Sequence, residues 1–307
     1  MQFDKTTIAV RQRGMLDTLD LSLHVLREYA SPLAAAMLLG VVPLMAVNYL
    51  LLGWMAGLPD EEAGLPWRFI YHLSLLIYLQ APLAGIFATA YLGDAVFLDE
   101  PRMRDVIREV VRRLPGIAWC HLLVRGVAAG WVLLLAIQLE AEFDPAVEGF
   151  LLLSLVGYAS LIRAFRPFIN EIVLLERNPL ISHDKRVKTV GQRSGELHGA
   201  SGGEWISRWL FACVLGVLLV LSTYGTICFA SGVIRQDWSQ GPLLIQCLLP
   251  LAMWMVACYF TVFRFLTYLD ARIRQEGWEV ELCLRAEASR MAKGEVQREK
   301  GELQSAK

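Results

Sequence analysis

The chain has 307 residues, 55% of them hydrophobic and 19% charged, with a mean hydropathy of +0.44 and a formal net charge of −1. Soluble globular chains are roughly 45–50% apolar and about 25% charged, so a soluble enzyme of this size is a poor fit. The near-zero net charge offers no overall field for nucleic acid or an acidic substrate. The six cysteines, Cys120, Cys213, Cys228, Cys247, Cys258 and Cys283, form no C-x-x-C pair; they read as small apolar packing residues rather than zinc or redox sites.

Residues 1–32 form an amphipathic N-terminal segment. Leu16, Leu19, Leu23 and Leu26 recur at helical spacing opposite Asp17, Asp20, Arg27 and Glu28. The segment lacks a short apolar stretch followed by a small-residue cleavage site, so the apolar block that follows reads as a retained span.

A bilayer core about 30 Å thick takes about 20 residues of apolar helix. Five stretches meet that length and a sixth falls short, in a transmembrane domain spanning residues 33–268. Residues 29–59, 69–93, 209–234 and 238–263 carry no charge, and 114–139 carries only Arg125. Residues 149–162 are short, and must continue through Arg163 and Arg166 to span, with those arginines snorkelling at one end.

The basic residues orient these spans. One side collects 26 Lys and Arg, Arg264 and everything beyond it included, and the other holds two, Arg68 and Arg235. By the positive-inside rule both termini are cytoplasmic. The expected fold is all-α: a polytopic bundle of six spans in three hairpins, each preceded by a cytoplasmic interfacial amphipathic helix. The second such helix is the clearest. Met103, Val106, Ile107, Val110, Val111 and Leu114 line one face and Arg104, Arg108, Arg112 and Arg113 the other. The third is weaker, with Val187, Val190, Ser194 and Leu197. Residues 269–307 read as a cytoplasmic helical tail that becomes disordered beyond Lys293.

Signatures of catalysis are absent. The chain has no G-x-x-x-x-G-K-[ST], no H-E-x-x-H and no G-x-S-x-G. None of its five histidines pairs at i, i+3 or i+4 with another ligand type in a way that suggests a metal site. The glycine-rich stretch 195–203 has no lysine and no preceding strand, so it reads as a flexible loop. No catalytic, cofactor-binding or metal residue is assigned. The distinctive stretch is 163–179, which places Arg163, Arg166, Asn170 and Glu171 together at the inner end of the fourth span. Pro167 kinks it, Arg166 and Asn170 are i, i+4 neighbours, and Arg163 or Arg125 is the expected partner of Glu171. With Arg125 these form a candidate polar cluster. Gly126–Gly130 and Gly53–Gly57 permit close helix approach.

Two further stretches carry a resemblance. Arg193-Ser194-Gly195-Glu196-Leu197, after Glu176-Arg177-Asn178-Pro179, fits the form R-S-x-x-L ahead of a fifth span. The run from Tyr268 through Asp270, Arg272, Arg274, Glu276 and Gly277 to Glu279 fits Y-x-D-x-R-x-R-x-E-G-x-D/E. Together they resemble the six-span membrane domain fused to some bacterial glycerophosphoryl diester phosphodiesterases, and its stand-alone relatives. The second half of the chain carries the motifs; the first half matches in layout. The resemblance implies a six-span bundle in a bacterial inner membrane and no activity, since the phosphodiesterase chemistry belongs to a separate soluble domain.

The sequence thus leans away from an enzyme. Its first reading is an accessory or membrane-organising protein that binds membrane lipids, anionic ones included, or a protein partner at its basic cytoplasmic face. The alternative is a small transporter with a polar path near Arg125, Arg166, Asn170 and Glu171. No cofactor is implied.

Overall fold

The computed structural model describes residues 14–57, 66–96, 101–139, 144–182, 184, 187–199 and 202–276. Among them the chain is helical and holds no strand. In order the α-helices are α1 (Met15–Glu28), α2 (Ala30–Leu52), α3 (Trp67–Ala84), α4 (Ile86–Ala95), α5 (Met103–Ala118), α6 (Val127–Leu139), α7 (Pro145–Phe165), α8 (Ile169–Leu174), α9 (Val190–Gly199), α10 (Gly202–Arg235) and α11 (Leu249–Glu276). A π-helical turn, Trp119–Val124, joins α5 towards α6, and another, Leu243–Leu248, leads into α11.

Five units are long and apolar enough to cross a membrane: Ala30–Leu52, Trp67–Ala95, Pro145–Phe165, Gly202–Arg235 and Leu243–Gln275. A sixth, Met103–Val124 with Val127–Leu139, qualifies only if the pair counts as one span despite a 57° bend. The expected third span therefore breaks where Arg125 stands. The fourth does not run on through Arg166: α7 stops at Phe165. It finds its length at the other end, where Asp144 accepts from the Ala146 N–H at 2.8 Å and Pro145 opens the first turn.

Around an apolar core, many large apolar side chains face outward while a set of polar ones is enclosed. Leu50, Leu139, Leu153 and Ile234 are all more than 70% exposed, whereas Asn48, His72, Gln80, Thr89, His121 and Glu171 are buried. Water would reverse that pattern; lipid permits it. Helix α1 shows it in miniature. Its leucines Leu16 and Leu23 face outward, and Thr18 and Ser22 pack inward against α11, each hydroxyl donating to a backbone carbonyl four residues back.

Lipid tails are as apolar as leucine, so helices in a membrane are joined by close packing and polar bonds rather than by hydrophobic drive. Both devices appear between α2 and the α3–α4 arm. Gly40 sits so close to α3 that a Cβ there would lie 2.1 Å from the Ala84 carbonyl oxygen. Further along, Asn48 and Gln80 exchange amide hydrogen bonds of 2.9 and 2.7 Å. Gly130 of α6 meets Leu79 and Leu76 of α3, so this small residue packs internally. The α3–α4 arm is the interior of the bundle and α10 its rim: 72% of one apolar window is buried and none of the other.

At the start of α3 an acidic residue is enclosed. Glu148 is 2% exposed. It accepts from Arg68 at 2.6 and 3.2 Å and from the Tyr71 hydroxyl at 2.9 Å, and lies 3.1 Å from His72 Nε2. This cluster fastens the start of α7 to the start of α3.

Candidate functional site: a polar hub at three helix breaks

Three helices break within reach of one another. In the α3–α4 arm, Pro82 lacks an N–H and so leaves the Tyr78 carbonyl without its i+4 partner, and the arm breaks at Gly85. A Cβ on Gly85 would fall 2.6 Å from Thr261 Oγ1, because α11 crosses there. Between α5 and α6, the π turn ends at Arg125, and Gly126 takes φ +77°, a left-handed conformation that glycine adopts without strain. Between α7 and α8, Arg166 leaves helical geometry at φ −137°, ψ 64°, and Pro167 follows.

Polar side chains tie the three breaks together. The Asn170 amide of α8 donates to the Pro82 carbonyl at 2.6 Å, and its oxygen faces His121 Nε2 of the π turn. An amide oxygen only accepts, so His121 donates from Nε2 and its Nδ1 holds a lone pair. Arg125 Nη2 donates to the carbonyls of Arg166 and Pro167 at 3.2 and 3.4 Å. Arg163 donates to the freed Tyr78 carbonyl, with its guanidinium 3.9 Å from the centre of the Tyr78 ring. The carbonyls of Tyr78, Pro82, Arg166 and Pro167, left open near the breaks, thus find partners from elsewhere in the hub, as a water-poor interior favours.

The hub departs from the sequence expectation in three ways. Glu171, fully buried, pairs with Arg264 of α11 at 2.8 Å rather than with Arg163 or Arg125. Arg264 also donates to Thr89 Oγ1 of α4 at 3.4 Å. Arg166 and Asn170 are not neighbours on one helix, because the chain breaks between them, and the Arg166 side chain is exposed. Arg264, His121, Thr89 and Tyr78 join the site unannounced. His121 carried a signal, four residues ahead of Arg125.

Three atoms of the hub are buried and have no hydrogen-bond partner in the protein: His121 Nδ1, Arg125 Nε and Glu171 Oε2. An unpaired buried group costs about 1–3 kcal/mol, so three in one place mark a region not arranged for stability alone.

The second candidate motif also draws together. Asp270 is 2% exposed and pairs with Arg274 at 2.7 Å. Arg274 reaches Glu204 of α10 at 3.1 Å, and Arg208 bridges Glu204 and Asp270 at 2.6 and 3.7 Å. Arg272 lies 3.7 Å from Glu176, which accepts from Arg193 at 3.0 Å and from the Tyr268 hydroxyl at 2.8 Å. These bonds fasten the end of α11 to α9 and α10. Glu276 is the last residue of α11; Gly277 and the tail beyond it lie outside the described residues, as do Cys283 and residues 1–13. Under this network His198 stacks on Phe168, their ring centres 5.3 Å apart. Burial pushes its imidazole down to about 4.

On α5 the apolar stripe divides. Val106 and Val110 are buried against the bundle, while Val111 and Leu114 are exposed. Arg104, Arg108 and Arg112 line up at i, i+4 and i+8, all exposed. The neighbouring Arg113 instead pairs with Glu109 at 2.6 Å and donates to the Val173 carbonyl.

Among the described residues no three His, Cys, Asp or Glu side chains are placed to share a metal ion. No family model, curated protein or solved structure matches the chain, so the hub itself is the strongest pointer to function.

Proposed function

We propose that the chain is a six-span protein of a bacterial cytoplasmic membrane, with both termini inside, that carries a small polar solute through the hub. One observation carries the reading: three broken helices meet at a buried cluster of charged side chains. Discontinuous helices are the usual means by which membrane carriers present charge to a solute, since irregular backbone at depth is tolerated only in protein or around a water-lined cavity. A bundle held for stability alone has no use for three interruptions at one place. Counting the bent pair as one span gives the six, the 26-to-2 distribution of basic residues supports the orientation, and the resemblance to the phosphodiesterase-linked membrane domain supports the inner membrane.

A second reading, an accessory protein that engages anionic lipid at the cytoplasmic face, is favoured by the line of exposed arginines on α5. Extraction of the protein in native nanodiscs, followed by mass spectrometry, separates the two. An enriched small molecule supports the carrier. A stoichiometric protein partner, or enriched anionic lipid with no solute, supports the accessory protein instead.

A further inference from the structure

We infer that the hub binds a small oxyanion that carries a hydroxyl proton, the class of dihydrogen phosphate, bicarbonate or a short hydroxy acid, held between Arg125 and His121. The inference rests on the carrier reading and names the class of its solute.

Charge balance is the first ground. Arg125, Arg163 and Arg264 act on one another electrostatically, and Glu171 is the carboxylate acting on Arg125. Glu171 is already engaged by Arg264 at 2.8 Å. Arg125, 3% exposed, has only the neutral carbonyls of Arg166 and Pro167. A buried ion without a counter-charge costs several kcal/mol even after relaxation. An anion is the missing partner.

The unpartnered atoms give the shape of that anion. Arg125 Nε is an unused donor on a guanidinium, a group suited to oxyanions, while Nη2 is held by the two carbonyls. His121 Nδ1 is an acceptor, because the Nε2 proton goes to Asn170. His121 stands four residues before Arg125, across the π turn. A ligand that satisfies both must accept on one side and donate on the other. Chloride and nitrate accept only; a protonated oxyanion does both. Both orphan atoms are sealed from solvent in this conformation, so the ligand enters when the breaks move apart.

The test is thermal unfolding of the full chain in nanodiscs, followed by tryptophan fluorescence, with inorganic phosphate at pH 6 against nitrate at equal ionic strength. Phosphate should raise the midpoint saturably and nitrate should not. Arg125→Lys keeps the charge but has no second nitrogen in place of Nε, so it should need about tenfold more phosphate for the same shift. An equal response to both anions, no response to either, or an unchanged response in Arg125→Lys overturns the inference. The carrier reading fails separately: a saturable phosphate response in a hub that water-borne reagents never reach leaves the anion site and sinks the carrier. A hub that such reagents reach, with no phosphate response, does the reverse.

Discussion

The pair Glu171–Arg264 should behave asymmetrically when it is cut. At 2.8 Å and an effective dielectric of about 20, two unit charges attract by about 6 kcal/mol, most of it offset by the cost of taking both from water. Removing one partner leaves the other uncompensated, and there the surroundings differ. Arg264→Met strands a carboxylate with no exposure at all, so the loss should lie near the top of the usual range, about 5 kcal/mol. Glu171→Gln leaves an arginine whose side chain keeps 16% exposure and the Thr89 hydroxyl, so about 3 kcal/mol is expected. The double variant should lose less than the sum of the two, with a coupling of about 2 kcal/mol or more. Equilibrium unfolding in bicelles, read as a double-mutant cycle, gives all three values. Single variants within about 0.5 kcal/mol of the parent, or an additive double variant, would refute the buried pair.

Gly40→Ala should separate α2 from α3 and lower stability by about 1–3 kcal/mol, since the new methyl meets a backbone oxygen that cannot turn aside; an unchanged unfolding midpoint would show that the helices do not touch there. His198 should make folding sensitive to acid. Its folded imidazole stays neutral down to about pH 4, while an unfolded one protonates near 6.5, so stability is full above about pH 7 and falls between about 6.5 and 4, by up to about 3 kcal/mol. His198→Phe should flatten that part of the stability–pH curve, and an identical slope in the variant would count against the assignment. Replacing Arg104, Arg108 and Arg112 by Gln should release anionic lipid from the purified protein, at about 1 kcal/mol per arginine, as read by native mass spectrometry; equal lipid retention would argue that α5 does not face the headgroups.

How much of this was legible in the sequence divides by range. Apolar runs of membrane length are local facts, and they located most of the long helices. The partner of Glu171 was missed for the same reason. A charge at the end of an uncharged run reads as the end of a span, and only the fold reveals that it reaches back to Glu171, 93 residues earlier. Pro167 announced the break between α7 and α8, because a missing N–H is a local matter. Pro82 and Gly126 mark the other two breaks just as locally, but that Thr261 crosses at Gly85 and that Arg125 reaches the Arg166 and Pro167 carbonyls is contained in no window of sequence. Periodicity located the apolar stripes of α1 and α5 but not what they face. Leu16 and Leu23 turn outward while Thr18 and Ser22 turn in, because in lipid the small polar groups are the ones that gain from burial.

A carrier needs a hub that water and solute reach, and cysteine accessibility tests this without an intermediary. Thr89, fully buried beside Arg264, can be replaced by Cys in a chain whose native cysteines are changed to Ala. A small, charged, membrane-impermeant thiol reagent applied to intact membranes should label Thr89→Cys within minutes, as the hub opens. Labelling only after the protein is unfolded in detergent would make the hub a sealed structural joint and contradict the carrier reading.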